Sequence, residues 1–259
     1  MCEIFGLSSN RAVSPVNLLS SFYKRGEVNP DGVGVAYYTK EGRSVLRKQA
    51  RMAMNSPLAA ALLESPETVS NIFIAHVRLA SWGLEISYNN THPFGNELGG
   101  RDYVFAHNGS LWGSRKFPLG IFHPRGQTDS EYAFCYILSE ISKNIKSWDT
   151  GAFDLLHGLI KDINREGTFN MMMSDGEHLF CYQDRRSHNG GLVYAERRSQ
   201  AEDELKCVDD STTANGFIVS TRPLTMERIT NFDQGELKVF KEGLMIYSSS
   251  DNGGRDDNV

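Results

Sequence analysis

The sequence has no long apolar run. None approaches the roughly 18–20 residues that a membrane-spanning helix needs. The N-terminus lacks a basic segment followed by an apolar one, so no secretory signal is predicted. Cysteine is scarce, at positions 2, 135, 181 and 207, with no C-x-x-C and no paired spacing. That excludes a disulfide framework and fits a cytoplasmic protein. Cys135 and Cys181 lie in apolar runs and read as buried thiols, whereas Cys207 lies in a polar stretch. No Lys/Arg-rich stripe is present and the net charge is −5, so neither nucleic acid nor an anionic membrane is a predicted partner. The seven histidines are scattered and none pairs with Cys or Glu at a ligand spacing. No metal and no cofactor is predicted. No internal repeat and no linker interrupt the chain.

What remains is a chain of 259 residues, 40% hydrophobic and 23% charged, with ample material for a core. Residues 2–8 read as a strand. Ser14-Pro15 has the form of a helix cap followed by proline at the first helical position, ahead of a helix over Val16–Lys24. Val33–Thr39 and Ser44–Lys48 flank a hairpin turn at Lys40-Glu41-Gly42-Arg43. Ser56-Pro57 opens a second helix to Leu63. Ile72–Leu79 and Tyr103–Ala106 read as strands, each ending in a polar segment. Thr128-Asp129-Ser130-Glu131 has the form of a capping box. The helix behind it aligns Phe134, Ile137, Leu138 and Ile141, and Phe153–Ile163 repeats that spacing. From residue 168 strands dominate: Phe169–Met173, His178–Tyr182, Leu192–Glu196, Phe217–Thr221, Leu237–Phe240 and Leu244–Tyr247. Residues 199–215 read as a polar loop. Strands at both ends with helices between predict an α+β protein, two mainly antiparallel sheets with helices outside, as one domain over 2–247. The tail 248–259 has no apolar anchor and is expected to be disordered.

Cys2 is the most informative residue. Removal of Met1 leaves it first in the chain, with a thiol and a free α-amine on one residue. A thiol titrates near about 8.5 and an α-amine near about 7.7–8.0, so the amine can take the thiol proton and later return it to a leaving group. This is a nucleophile with its own base. In an arbitrary protein, a cysteine there is more often a small apolar residue opening a strand.

Three other segments carry polar chemistry. His76-Val77-Arg78-Leu79-Ala80-Ser81 ends a strand with an Arg whose planar fork suits a carboxylate and a Ser that can add a hydroxyl; a surface ion pair is the ordinary alternative. His107-Asn108-Gly109 offers a carboxamide NH2 and a glycine N–H to an oxyanion; Asn-Gly is also a common turn. In Gly126-Gln127-Thr128-Asp129-Ser130-Glu131, Asp129 can hold an ammonium group or can simply favour the helix dipole.

Taken in order, an N-terminal Cys, an R-x-A-[ST]-type strand end, H-N-G and T-D-[ST]-E resemble the class II glutamine amidotransferases, which are N-terminal-nucleophile (Ntn) hydrolases. The resemblance covers at least residues 2–140. Asn90-Thr91-His92-Pro93-Phe94 and Asp31-Gly32-Val33-Gly34 fit it, as do the C-terminal strands, and the short stand-alone subgroup of predicted amidotransferases is the nearest in length. The resemblance implies a four-layer αββα sandwich. It implies that Cys2 attacks the glutamine side-chain amide to form a γ-glutamyl thioester, with its α-amine as base. Asn108 and Gly109 would form the oxyanion hole. Arg78, assisted by Ser81, would hold the α-carboxylate, and Asp129 the α-ammonium. Ammonia would leave first and glutamate second. His76, His92 and His107 would order loops.

Two departures stand out. Leu79 and Trp82 occupy positions where many members carry an aromatic residue and a His, so Trp82 is expected to shape a lid or pocket wall. A chain of this length also leaves no room for a domain that consumes ammonia. The predicted ligand is therefore glutamine, with a separate synthase or transferase subunit as acceptor, or alternatively a γ-glutamyl conjugate that is simply hydrolysed. A homo-oligomer is left open. An acylase of the same fold is disfavoured because acyl groups lack the two charges that Arg78 and Asp129 would read. A non-enzymatic binding subunit is disfavoured because Cys2, Asn108 and Asp129 are all present.

Overall fold

The structure is a computed structural model, and it describes residues 2–186, 191–198, 206–207, 214–224 and 228–250. The first part of the chain gives β1 (Glu3–Ser14), α1 (Val16–Tyr23), β2 (Gly32–Tyr38), β3 (Ser44–Gln49), α2 (Pro57–Glu64), β4 (Ser70–Arg78), β5 (Phe94–Leu98) and β6 (Arg101–Leu111). Two long helices follow, α3 (Asp129–Asn144) and α4 (Thr150–Asn164). The remainder is β7 (Gly167–Ser174), β8 (His178–Tyr182), β9 (Val193–Arg198), β10 (Lys206–Cys207), β11 (Asn215–Ser220), β12 (Thr230–Asn231), β13 (Leu237–Lys241) and β14 (Leu244–Ser248).

The strands form two antiparallel sheets. The first runs β12-β9-β11-β1-β4-β2-β3, with β10 paired to the far end of β1, and the second runs β14-β13-β8-β7-β6-β5. Side chains alternate across a strand, so each sheet has two faces to bury. The outer face of the first sheet packs Phe5, Leu7, Phe73 and Ala75 against Leu18, Leu19 and Phe22 of α1 and Leu62 of α2. The outer face of the second packs Phe105, Phe169, Met171 and Phe180 against Phe134, Ile137 and Leu138 of α3 and Leu156 and Ile160 of α4. Phe105 and Phe134 stack at 5.1 Å. Burying each such side chain contributes about 1.5–3 kcal/mol. Between the sheets lie Ile4, Ile72, Ile74, Val104, Ala106, Met172 and Leu179. The architecture is the four-layer αββα sandwich expected from the sequence.

Local differences have local causes. Ser14 does not cap α1: it sits in β1 opposite Lys206, and the N-cap is Pro15, without a side-chain bond. Ser56 does cap α2, accepting from the Ala59 N–H at 3.1 Å. The capping box of α3 is half formed. Thr128 Oγ1 accepts from the Glu131 N–H at 3.1 Å, but the Glu131 carboxylate accepts from the Gly126 N–H at 2.7 Å. Strand β5 was not expected, because Phe94-Gly95-Asn96-Glu97-Leu98 lacks an alternating apolar pattern. It is paired to β6 through Gly99 and Gly100, both at positive φ (+61° and +82°), as the tightest hairpin turns require. Strand β6 does not stop at Ala106; it continues through His107-Asn108-Gly109, each of which has a partner in β7.

At the C-terminus, Ser248 ends β14 and Ser249 donates its N–H to the Leu237 carbonyl at 3.0 Å. Residues 251–259 of the expected tail lie outside the described residues, as do 199–205 and 208–213 of the expected polar loop. Among the described residues, no helix is long and apolar enough to cross a membrane.

Candidate active site

The space between the sheets changes character at one end. Along β4, Ile72 and Ile74 give way to His76 and Arg78. Along β6, Val104 and Ala106 give way to Asn108. On β7, which runs opposite, Met172 gives way to Asn170, and on β1, Ile4 gives way to Cys2. These pairs share a face by the two-residue strand period, and the pairing registers bring all four changes to the same end of the sandwich. The neighbouring strand β2 places Gly34 opposite His76 and Gly32 opposite Arg78. A Cβ on Gly34 would stand 2.2 Å from the His92 carbonyl oxygen, so only glycine lets the loop after β4 lie there.

Cys2 sits at the entrance to β1 and is partly exposed. Its thiol donates to the Leu79 carbonyl at 3.3 Å, and its sulfur accepts from the Leu79 N–H at 3.2 Å. Burial of the sulfur raises its pKa, opposed by the Leu79 N–H and by the positive charge of Arg78. Asn108 Nδ2 donates to the Cys2 carbonyl. The next residue, Gly109, has φ of +150°, and a Cβ there would stand 2.1 Å from the Thr168 carbonyl oxygen and 2.6 Å from His107 Nε2. A side chain is therefore excluded twice, by conformation and by space. The strand behind the nucleophile is anchored by buried Glu3, which accepts from Arg25 Nη1 at 2.6 Å.

Arg78 is buried and turns its guanidinium toward the loop that follows, donating to the Glu85 carbonyl from Nη1 and Nη2 at 3.3 and 3.4 Å. Burial lowers its pKa, with Cys2 and Asp31 opposing. Ser81 is exposed, and its carbonyl closes a turn with the Leu84 N–H at 3.0 Å. Trp82 is 102% exposed, so it forms no wall of the site in this conformation. Asp129 opens α3 and is half-buried; its Oδ2 accepts from the Leu111 N–H at 2.5 Å and its Oδ1 from the Ser130 N–H at 2.9 Å. Two oxygens offer about four lone-pair positions, so the carboxylate keeps room for a cation.

The three histidines are all buried. His76 and His92 stack at 4.2 Å, and among the described residues their ring nitrogens have no well-formed hydrogen-bond partner. Burial holds His76 down to about 3, with the Arg78 charge adding to the effect, and pushes His92 well below its ordinary value. His107 is different. Its Nε2 lies 3.0 Å from the Thr168 carbonyl and its Nδ1 2.8 Å from Ser130 Oγ. The carbonyl only accepts, so Nε2 carries the proton and Nδ1 accepts from the Ser130 hydroxyl. His107 thus ties β6 to β7 and to the start of α3.

Several residues with no role expected from the sequence hold this geometry. Asp31 Oδ2 accepts from the Ala80 N–H at 2.7 Å, fixing the chain as it leaves Arg78. Asn90 joins two loops: Nδ2 donates to the Glu85 carbonyl at 3.1 Å and Oδ1 accepts from the Gln127 N–H at 2.7 Å. Lys48 donates to the Thr91 carbonyl at 2.7 Å, between the rings of Tyr88 and Phe94, and burial pulls its pKa down to about 8. Asp31 and Asn90 lay within family-like segments. Lys48 had no sequence signal, because it acts from a neighbouring strand.

This combination of a sandwich fold and a cysteine at the head of its central strand defines a class. The chain belongs to the class II glutamine amidotransferases: the model of that family, described as "Glutamine amidotransferases class-II", matches residues 1–257. It is therefore an enzyme of glutamine-amide hydrolysis with Cys2 in the place of the family's nucleophile. Within the family it is 42% identical over 257 residues to the uncharacterized protein MJ1515 of Methanocaldococcus jannaschii, covering 96% of this chain and 72% of that one. A crystal structure of a "predicted glutamine amidotransferase" from Pseudomonas aeruginosa is similar with a TM-score of 0.67 at 26% identity, covering 95% of this chain and 100% of that one. The glutamine phosphoribosylpyrophosphate amidotransferase of B. subtilis shares the fold, with a TM-score of 0.67 at 14% identity over 95% of this chain and 48% of that one.

Proposed function

We propose that the protein, once Met1 is removed, hydrolyses glutamine through a γ-glutamyl thioester on Cys2. The observation that carries the reading is the convergence at one end of the sandwich: the thiol of Cys2, the Asn108 amide on the Cys2 main chain and the Arg78 guanidinium one residue before Leu79.

The α-amine takes the thiol proton, and the thiolate attacks the side-chain amide carbon. Charge develops on the carbonyl oxygen, where the Asn108 Nδ2–H and the Gly109 N–H donate to it. The tetrahedral carbon collapses, and the proton passes from the amine to the departing ammonia. A water then attacks the thioester, the amine takes its proton, and glutamate leaves with the thiol restored. Arg78 pairs with the substrate α-carboxylate and Asp129 with its α-ammonium. A substrate lacking either charge leaves a partner desolvated and unpaired, which is the basis of selectivity. Ser81 is a carboxylate partner only after the loop beyond Ala80 moves inward. His76, His92 and His107 serve as supports.

The exposed loop favours a second substrate class. Ile86 and Tyr88, in the loop that Arg78 grips, are 52% and 56% exposed. They offer apolar contact to a leaving group larger than ammonia, as in a γ-glutamyl conjugate. With glutamine as substrate, the ammonia is passed to a separate synthase or transferase subunit. Cys135 and Cys181 are free and buried, which fits a reducing, cytoplasmic setting.

Labelling with a glutamine-mimicking diazo-ketone, read by intact and peptide mass, tests the assignment. The expected product is one adduct on an N-terminal Cys2, suppressed by excess glutamine. A processed chain that stays unlabelled would sink the glutamine reading, and faster turnover of γ-glutamyl peptides than of glutamine would select the conjugate.

A further inference from the structure

Directly across the β6–β7 ladder from Asn108 lies Asn170. Opposite residues of an antiparallel pair point to the same face, with Cβ atoms about 4.5–5.5 Å apart, so the two carboxamides share the inter-sheet space. Both are buried, at 2% and 0% exposure. Each is half satisfied, in complementary senses. Asn170 Oδ1 accepts from the Asp184 N–H at 2.9 Å, which fixes that atom as the oxygen and leaves Nδ2 without a partner among the described residues. Asn108 Nδ2 donates to the Cys2 carbonyl, which fixes that atom as the nitrogen and leaves Oδ1 without a partner among the described residues. A buried donor and a buried acceptor thus stand on residues paired across one ladder rung. Main-chain groups on the outer side of each amide decide which atom is which.

The anchor behind Asn170 is itself rigid. Asp184 is fully buried, and its Oδ2 accepts from the Phe169 N–H at 2.6 Å and from Asn164 Nδ2 at 2.7 Å. Tyr182 donates to Asn164 Oδ1 at 2.9 Å. A chain of hydrogen bonds therefore holds Asn170, the residue paired with Asn108.

We propose that Asn170 is a positioning residue for the oxyanion donor. Its Nδ2–H donates to Asn108 Oδ1 after rotation of the Asn170 carboxamide, and so locks the Asn108 NH2 toward Cys2. Without it the Cys2 carbonyl is, among the described residues, the one hold on the Asn108 amide, and the carboxamide turns more readily away from the developing negative charge. The inference rests on the oxyanion role proposed above for Asn108.

The test is a double-mutant cycle in the full chain, reading kcat and KM for glutamine together with the thermal midpoint. Asn108→Ala is expected to lower kcat about 10²–10³-fold. Asn170→Asp keeps an oxygen for the Asp184 N–H but replaces the donor with an acceptor. It is expected to lower kcat on the order of 10–10²-fold, with KM within about twofold of the parent. The double variant is expected to be no slower than Asn108→Ala, because the locked group is already gone. Asn170→Ser, neutral and too short to reach Asn108, carries the same expectations if Asn170→Asp does not fold. An Asn170 variant that keeps the parental kcat, or whose loss multiplies with that of Asn108→Ala, overturns the positioning role. An Asn108→Ala variant with parental kcat overturns the oxyanion reading itself, whatever Asn170 does.

Discussion

The two ends of the inter-sheet layer are built from the same strands and differ only in what each strand places there. In the middle and at one end, Ile4, Ile74, Val104, Ala106 and Met172 interlock as an ordinary apolar core. Two residues further along each strand stand Cys2, His76, Asn108 and Asn170. The ladders run in continuous register from Glu3 to Ser8 on β1 and from Val104 to Leu111 on β6. A sheet is indifferent to which side chains it carries as long as its ladder is satisfied, so a polar site can be installed at one end while the other end supplies the stability. The cost appears locally, as buried polar atoms with unfilled hydrogen-bonding capacity on His76, His92, Asn108 and Asn170.

This contrast makes predictions that differ by region. The largest effect belongs to the apolar part. Ile74→Ala is expected to cost about 2–5 kcal/mol of unfolding free energy, measured by denaturant titration, while the surviving folded enzyme keeps its KM. A loss under 1 kcal/mol would mean that the middle of the layer is not the stabilising part.

At the polar end, Arg78→Ala is expected to raise KM for glutamine about 10²-fold, with a change in thermal midpoint smaller than that of Ile74→Ala. Steady-state kinetics decides this. An unchanged KM would remove Arg78 from the substrate carboxylate.

A smaller effect is a pH dependence of stability that comes from the buried imidazoles. His76 titrates near about 3 in the folded protein and His92 and His107 below their ordinary value, in each case first because burial disfavours the charged ring. The unfolded chain titrates near about 6.5 and therefore binds more protons as the pH drops. The stabilisation is thus fully present above about pH 6.5 and is lost as the pH falls toward the folded value. Stability should fall steadily from pH 7 to pH 4, and His92→Phe should flatten that slope. A His92→Phe variant with the parental slope would show that His92 is not held neutral.

Much of this was readable in the chain, and the failures have physical reasons. Most strands and all four helices follow from residue periodicity, because alternation and the 3.6-residue repeat are local properties. The site motifs were visible because four short segments stand in this chain in the order that carried the resemblance. Strand β5 was missed because an edge strand against β6 needs no alternating apolar pattern, and its Gly99-Gly100 turn was the one local signal. The H-N-G segment was expected to end a strand, since Asn-Gly usually turns; pairing with β7 keeps it extended, and the space beside Thr168 explains the glycine. Ser14 looked like a cap and became a strand residue because a distant segment, at Lys206, offered it a partner.

The sequence by itself determined the fold class and the family, because each is written in local pattern or in short motifs. Tertiary structure alone decided the rest. It set Asn108 against the main chain of Cys2, although the two are 106 residues apart. It put Lys48 under the loop of Thr91 and Asn170 across from Asn108. It also left Trp82 in solvent, where a pocket wall had been expected. Each of these depends on strand register and on loops approaching one another. Such relations are fixed only when the sheets close on their shared core, and no single segment encodes them.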